Sequence, residues 1–175
     1  MKHQVLIVDG YNMIGAWPNL IPFKKKDELE EAREALLKDL SEYAKFKGIE
    51  VIVVFDAQFV PGITQTYEQY KLQVVFTAKD ETADTYIEAL AKERMNVLTQ
   101  VTVATSDLAE QWQIFSVGAL RKSARELYKD VHREKKAIEK EAYQTQFQNY
   151  KRNVPWDETQ LDSLQQLMEN LQGKD

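Results

Sequence analysis

The residues of this chain whose types and spacing could do chemistry are carboxylates. Asp9 ends the run Val5-Leu6-Ile7-Val8 and leads into Gly10-Tyr11-Asn12. Asp56 ends a second apolar run, Ile49 to Phe55. Asp80, Glu81 and Asp84 follow a third, Leu72 to Thr77, and Asp107 follows a fourth, Val101 to Thr105. If these runs are parallel strands of one sheet, their carboxyl ends share an edge. That edge is where open α/β sheets place their sites. Carboxylates crowded into one crevice repel one another unless a cation neutralises them. Oxygen ligands without His or Cys suit Mg²⁺ or Mn²⁺. Such an ion can activate water and stabilise charge on a phosphoryl group. Each acid also has a plainer reading. Asp9-Gly10 reads as a turn, Asp56 as the start of one, Asp84 as the complement of a helix dipole and Asp107 as an N-cap. Their convergence at one edge is what favours a metal site.

Composition narrows the alternatives. The chain has 175 residues, 43% of them hydrophobic and 29% charged, which suits one soluble globular domain with a helical extension. No cysteine is present, so disulfides, thiol catalysis and Cys-based zinc sites are excluded. The two histidines, His3 and His132, lie far apart, and His3 precedes the first strand. A histidine-pair mechanism is therefore not expected. No apolar run approaches the ~20 residues of a membrane span. Met1-Lys2-His3 leads straight into a strand, so no signal peptide is expected and a cytoplasmic location fits.

The elements that must position the acids follow from periodicity. Val5 to Val8 reads as a buried strand, and Met13 to Pro18 as a loop. Asp27 to Lys47 carries an apolar helical stripe, Leu29, Ala32, Leu36 and Leu40, with Gly48 as its stop. Ile49 to Phe55 completes a βαβ unit. Gln65 to Tyr70 reads as loop or edge strand, and Leu72 to Thr77 as a short strand. Ala83 to Met95 reads as a helix capped by Thr82 or Asp80. After the strand Val101 to Thr105, Asp107 and Glu110 signal a short helix through Phe115. Ser123-Ala124-Arg125-Glu126 is a capping box opening a long helix towards Tyr150. Asp157 to Leu171 reads as a last amphipathic helix.

Taken in order, Asp9-Gly10-Tyr11-Asn12, Glu81-Thr82-Ala83-Asp84 and Thr105-Ser106-Asp107 resemble the NYN branch of the PIN-like nucleases. Val5 to Asn12, Val74-Val75-Phe76-Thr77, and Gly118-Ala119 followed by Ser123-Ala124-Arg125-Glu126 resemble the YacP family in particular. The similarity runs over residues 4–150. The resemblance implies a PIN-like three-layer α/β/α sandwich with a central, mostly parallel sheet. The nuclease domain is expected over 1–152, with a C-terminal helical tail, 153–175, packed on it. It also implies a divalent-metal-dependent endoribonuclease, associated with the ribosome and acting on messenger RNA. Carried over by position, Asp9, Asp84 and Asp107 match the metal-binding acids and Asn12 the site asparagine. Asn12 would orient Asp9 or a phosphate oxygen. Glu81, Asp80 and Asp56 are second-tier site candidates.

RNA contact is expected late in the chain. Arg121 to Arg152 holds ten Lys or Arg against five acids, a local +5 in a chain of net −5. Arg121, Lys122 and Arg125 fall at the expected start of the long helix, where free backbone N–H groups also favour phosphate. Tyr11 and Trp17 are each read either as base-stacking residues or as packing, and Tyr128, Tyr143, Phe147 and Tyr150 as core. Two other functions use the same residues. One is a metal-dependent phosphatase on a small substrate, although no Walker-type glycine-rich loop is present. The other is a non-catalytic RNA- or ribosome-binding module with a vestigial site.

Overall fold

The structure, a computed structural model, describes residues 2–26, 28–57, 70, 72–107, 118–153, 162–163 and 165–169. The chain divides into two compact units, Met1–Lys135 and Lys136–Asp175. The elements are β1 (His3–Asp9), α1 (Gly10–Ala16), α2 (Ile21–Lys25), α3 (Leu29–Lys47), β2 (Glu50–Phe55), β3 (Gln73–Phe76), α4 (Ala83–Arg94), β4 (Thr99–Ala104), β5 (Leu120–Lys122) and α5 (Ala124–Asn153). In the second unit, Tyr143 donates its hydroxyl to the Met168 sulfur at 3.6 Å.

The five strands form one sheet in the order β3-β2-β1-β4-β5, and every pairing is parallel. Side chains alternate between the two faces of a strand, so each apolar run supplies two cores. Leu6, Val8, Val51, Val53 and Phe55 pack with Met13 and Ile14 of α1, Leu36 and Leu40 of α3, and Leu127 and Val131 of α5. Val5, Ile7, Ile52, Val54, Val101 and Val103 pack with Ile87, Leu90 and Ala91 of α4. This is a three-layer α/β/α sandwich around a parallel sheet. Ile7 and Val8 are fully buried, and each contributes about 1.5–3 kcal/mol by leaving water. Gly48 ends α3 in the left-handed conformation at φ 64°, returning its N–H to the Ala44 carbonyl. Lys47–Glu134 at 2.7 Å and Lys135–Asp39 at 3.0 Å tie α3 to the first half of α5.

The stretch after Asp9 differs from its expected form. Met13 to Ala16 are not loop but part of α1, which begins at Gly10. Asp9 caps that helix, and Met13 and Ile14 enter the core, so Asp-Gly opens a helix instead of reversing the chain. Glycine is required at position 10 by proximity. A Cβ there would lie 2.2 Å from the Phe55 ring. The short α2 and the three-residue β5 carry too little periodicity to be read beforehand. The helix expected after Asp107 and the segment 65–69 lie outside the described residues, as does most of the last expected helix.

Candidate active site

β1 is the strand at which the sheet order turns. β2 and β3 lie to one side of it, β4 and β5 to the other. The crevice beyond the carboxyl ends of β1 and β4 is thus the switch point of the sheet, the place such folds use for ligands. Asp9 is the last residue of β1, and Thr105-Ser106-Asp107 leave the end of β4. By alternation Asp9 shares its face with Val5 and Ile7, the face that α4 covers. Asp84 lies in the first turn of α4, whose N-cap is Thr82. The sheet brings Asp9, Asp56, Asp84 and Asp107 to one edge, as the spacing predicts.

Asp9 is buried, and its Oδ1 accepts the Asn12 N–H at 3.1 Å. Burial pushes its carboxyl up to about 6. The Asn12 bond opposes this, while the charges of Asp84, Asp56 and Asp107 add to it. Asp84 is also raised, by partial desolvation and then by Asp107 and Asp56. Asp56, a second-tier candidate from sequence, therefore belongs to the same electrostatic group. Glu81 and Asp80 lie in the turn before α4. Glu81 is half-buried, with its N–H on the Ala78 carbonyl at 3.0 Å, and Asp80 is exposed. The charges acting most on Asp9 are those of Asp84, Asp56 and Asp107.

Asn12 has a partner that sequence did not suggest. Its side-chain Oδ1 accepts the Ser106 N–H at 2.9 Å, stitching the start of α1 to the end of β4 across the crevice. The next amide, Asp107 N–H, is held by Thr105 Oγ1 at 3.1 Å.

Among the described residues, no three His, Cys, Asp or Glu side chains stand close enough to share one metal ion. The donor chemistry still suits a hard cation. It is all-oxygen, and burial first and neighbouring acids second push the carboxyls of Asp9 and Asp84 up. Mg²⁺ commonly takes one or two carboxylates and completes its shell with water and substrate phosphate, so a three-carboxylate cage is not required.

Neither histidine is among the groups that shift Asp9 or Asp84. His3 begins β1, at its opposite end, and pairs with Glu50 at 2.8 Å. His132 lies on α5 with its Nδ1 at the Tyr128 carbonyl.

The expected RNA contacts are placed differently from one another. Arg121 and Lys122 are not in the long helix but in β5, and Lys122 pairs with Asp130 at 2.6 Å. Only Arg125 lies in the first turn of α5, where it is exposed. The capping box forms: Glu126 N–H donates to Ser123 Oγ at 3.2 Å and Ser123 N–H to Glu126 Oε2 at 2.7 Å. Ser106 Oγ accepts the Ala124 N–H at 3.0 Å. Two first-turn N–H groups expected to be open to phosphate are thus already satisfied. Trp17 is fully buried with its indole N–H on the Ala124 carbonyl at 3.0 Å, so it packs and is not open to a base. Tyr11 is half-buried, edge-on to Phe55, with its hydroxyl accepting from Arg33 at 3.2 Å. Tyr128 packs against Trp17 as expected of a core residue, while the side chain of Tyr150 lies outside the described residues.

Comparison with known proteins is consistent with this geometry. Residues 6–169 match the family described as the YacP-like NYN domain. The chain is 50% identical over 136 residues to a Bacillus subtilis (strain 168) protein described as uncharacterized protein YacP, covering 78% of this chain and 79% of that one. It is also similar to the crystal structure of Rae1 (YacP) from Bacillus subtilis. The TM-score is 0.74 at 42% identity, over 98% of this chain and 95% of the other. A tryptophan-to-leucine mutant of that protein matches with TM-score 0.70 at 43% identity, over 91% and 88%.

Proposed function

Because this chain belongs to the YacP-like NYN domain family, a nuclease-type family, we propose that it is a divalent-metal-dependent endoribonuclease that cuts messenger RNA in association with the translating ribosome. One observation carries the reading. A buried aspartate ends the central strand at the switch point of the sheet, under the charges of three further aspartates. Of Asp9, Asp84 and Asp107, one or two would hold Mg²⁺ or Mn²⁺ directly and the rest through its bound water, with Asp56 beside them. When bound, the ion supplies electrostatic stabilisation of charge developing on a phosphodiester.

The chain's own residues do the rest. Asn12 fixes Asp9 through its backbone N–H and the end of β4 through its amide oxygen. Thr105 sets the backbone of Asp107. Arg125, with Arg121 and Lys122 of β5, supplies positive charge for the RNA backbone. No histidine stands at the crevice to drive attack by the 2′-hydroxyl. Water is the nucleophile in this reading, and the products carry 5′-phosphate and 3′-hydroxyl ends. The ribosomal association and the messenger substrate rest on family resemblance, and a cytoplasmic location goes with them. No helix among the described residues is long and apolar enough to cross a membrane.

The test is cleavage of a translated messenger in a purified translation system, comparing wild type with Asp84→Asn, with and without ribosomes. Cuts by wild type only when ribosomes are present, lost in the variant, support the reading. Wild-type cuts on free RNA as well indicate a general endonuclease. No cleavage in any condition favours the binding module.

A further inference from the structure

A hydrogen-bonded circuit runs from the acidic crevice to the start of α5 and back. Asn12 Oδ1 accepts the Ser106 N–H at 2.9 Å. Ser106 Oγ accepts the Ala124 N–H at 3.0 Å. The Ala124 carbonyl accepts the Trp17 indole N–H at 3.0 Å. Trp17 N–H returns to the Met13 carbonyl at 2.8 Å, on the helix that carries Asn12. Thr105 N–H, on the Lys122 carbonyl at 3.0 Å, fastens the same loop to β5.

Ser106 joins two separate elements with two different atoms. Its amide holds α1, and its hydroxyl holds α5. Ser106 itself is exposed, while Ala124 and Trp17, the next links of the circuit, are both fully buried, so the Ala124 N–H needs a partner there. Asp107 is the next residue along the chain. Its backbone position follows from where Ser106 is held. Arg125 follows Ala124, so the same bonds keep Arg125 in register with the acids.

We propose that Ser106 is a positioning residue that sets Asp107 against Asp9 by anchoring the end of β4 to α5. The proposal rests on the reading of the crevice as a divalent-ion site. It assigns Ser106 no contact with ion or substrate. Its effect passes through the backbone of Asp107. Such an effect should fall on the affinity for the ion and on turnover, and spare the affinity for RNA.

The experiment measures Mn²⁺ binding to the full chain by the electron paramagnetic resonance of free Mn²⁺, and RNA cleavage beside it. Ser106→Thr and Ser106→Val are near-isosteric and differ in the hydroxyl, so their comparison holds even if Ser106→Ala does not fold. Glu126→Ala is the control, because it loosens the start of α5 outside the circuit. The expected result is Mn²⁺ affinity and kcat lower by on the order of tenfold in S106V and S106A. S106T should stay near wild type, KM for RNA should hold, and E126A should bind Mn²⁺ normally. If wild type binds Mn²⁺ and S106V matches it, the assignment is overturned while the reading of the site stands. If E126A weakens binding as much as S106V, the effect is general loosening and the assignment is again overturned. If wild type binds no Mn²⁺, the reading of the site falls and the assignment with it.

Discussion

Asp9→Asn should make the metal-free protein more stable at neutral pH while abolishing its activity. The carboxyl of Asp9 is pushed from an ordinary 3.8 to about 6 by burial and by its acidic neighbours. A group whose pKa is raised on folding favours the folded state most when protonated. That contribution is intact below about pH 4 and is lost as pH rises through about 6. The full cost above that range is the shift of about two units at 1.36 kcal/mol each, roughly 3 kcal/mol. Asparagine removes the charge and keeps an oxygen for the Asn12 N–H, and it caps helices as well as aspartate does. Its amide is also desolvated, so the net gain is about 1–3 kcal/mol. In a chain of this size that raises Tm by roughly 2–12 °C. The assay is thermal unfolding of both proteins in chelator from pH 4 to pH 8. The two curves should meet near pH 4 and separate above pH 6, with the variant higher. Adding Mg²⁺ should raise wild type alone. Parallel curves across pH, or a variant less stable at pH 7, would refute the electrostatic account.

Other expectations follow from packing and capping. Gly10→Ala gains up to about 1 kcal/mol of helix propensity, but its Cβ would stand 2.2 Å from the Phe55 ring. A net loss of about 1–3 kcal/mol is expected by urea unfolding, and equal stability would contradict the fit. Trp17→Phe leaves the Ala124 carbonyl without its indole donor and should cost about 1–3 kcal/mol, with an unchanged urea midpoint as the contrary result. Glu126→Ala opens the capping box and should cost about 0.5–2 kcal/mol. Bonds from Ser123 hold the Glu126 carboxyl below its usual range, so that contribution is present at neutral pH and lost as pH falls through the lowered value. A difference between E126A and wild type that persists unchanged into strong acid would count against it.

The gathering of acids at one edge was legible in the sequence because parallel strands put their carboxyl ends there and four apolar, β-branched runs marked those strands, whereas the choice of Asp9, Asp84 and Asp107 among those acids came from the family resemblance. Which side chains of Val5 to Val8 meet α3 and which meet α4 was not legible, since a continuous apolar run does not distinguish its two faces. Asp9-Gly10 misled, because a turn and a helix N-cap use the same residues, and only the burial of Met13 and Ile14 distinguishes them. Trp17 was ambiguous for a related reason. Its donor finds an acceptor at Ala124, more than a hundred residues away, and no local pattern encodes that contact. Arg121 and Lys122 lie in a strand too short for periodicity to reveal, so their distance from the helix start was invisible. The Asn12–Ser106 bond was likewise hidden, being a long-range contact to a backbone amide.

The central claim is that these aspartates support metal-dependent hydrolysis of RNA. The most direct measurement is the chemistry of the ends produced when wild type cuts a ribosome-bound messenger, with Mg²⁺, with chelator, and with Asp84→Asn in its place. The account predicts 5′-phosphate and 3′-hydroxyl ends that need the divalent ion. It also predicts a rate lower by on the order of 10²-fold or more in the variant. Cyclic-phosphate ends, or cutting that survives both chelator and the substitution, would contradict it.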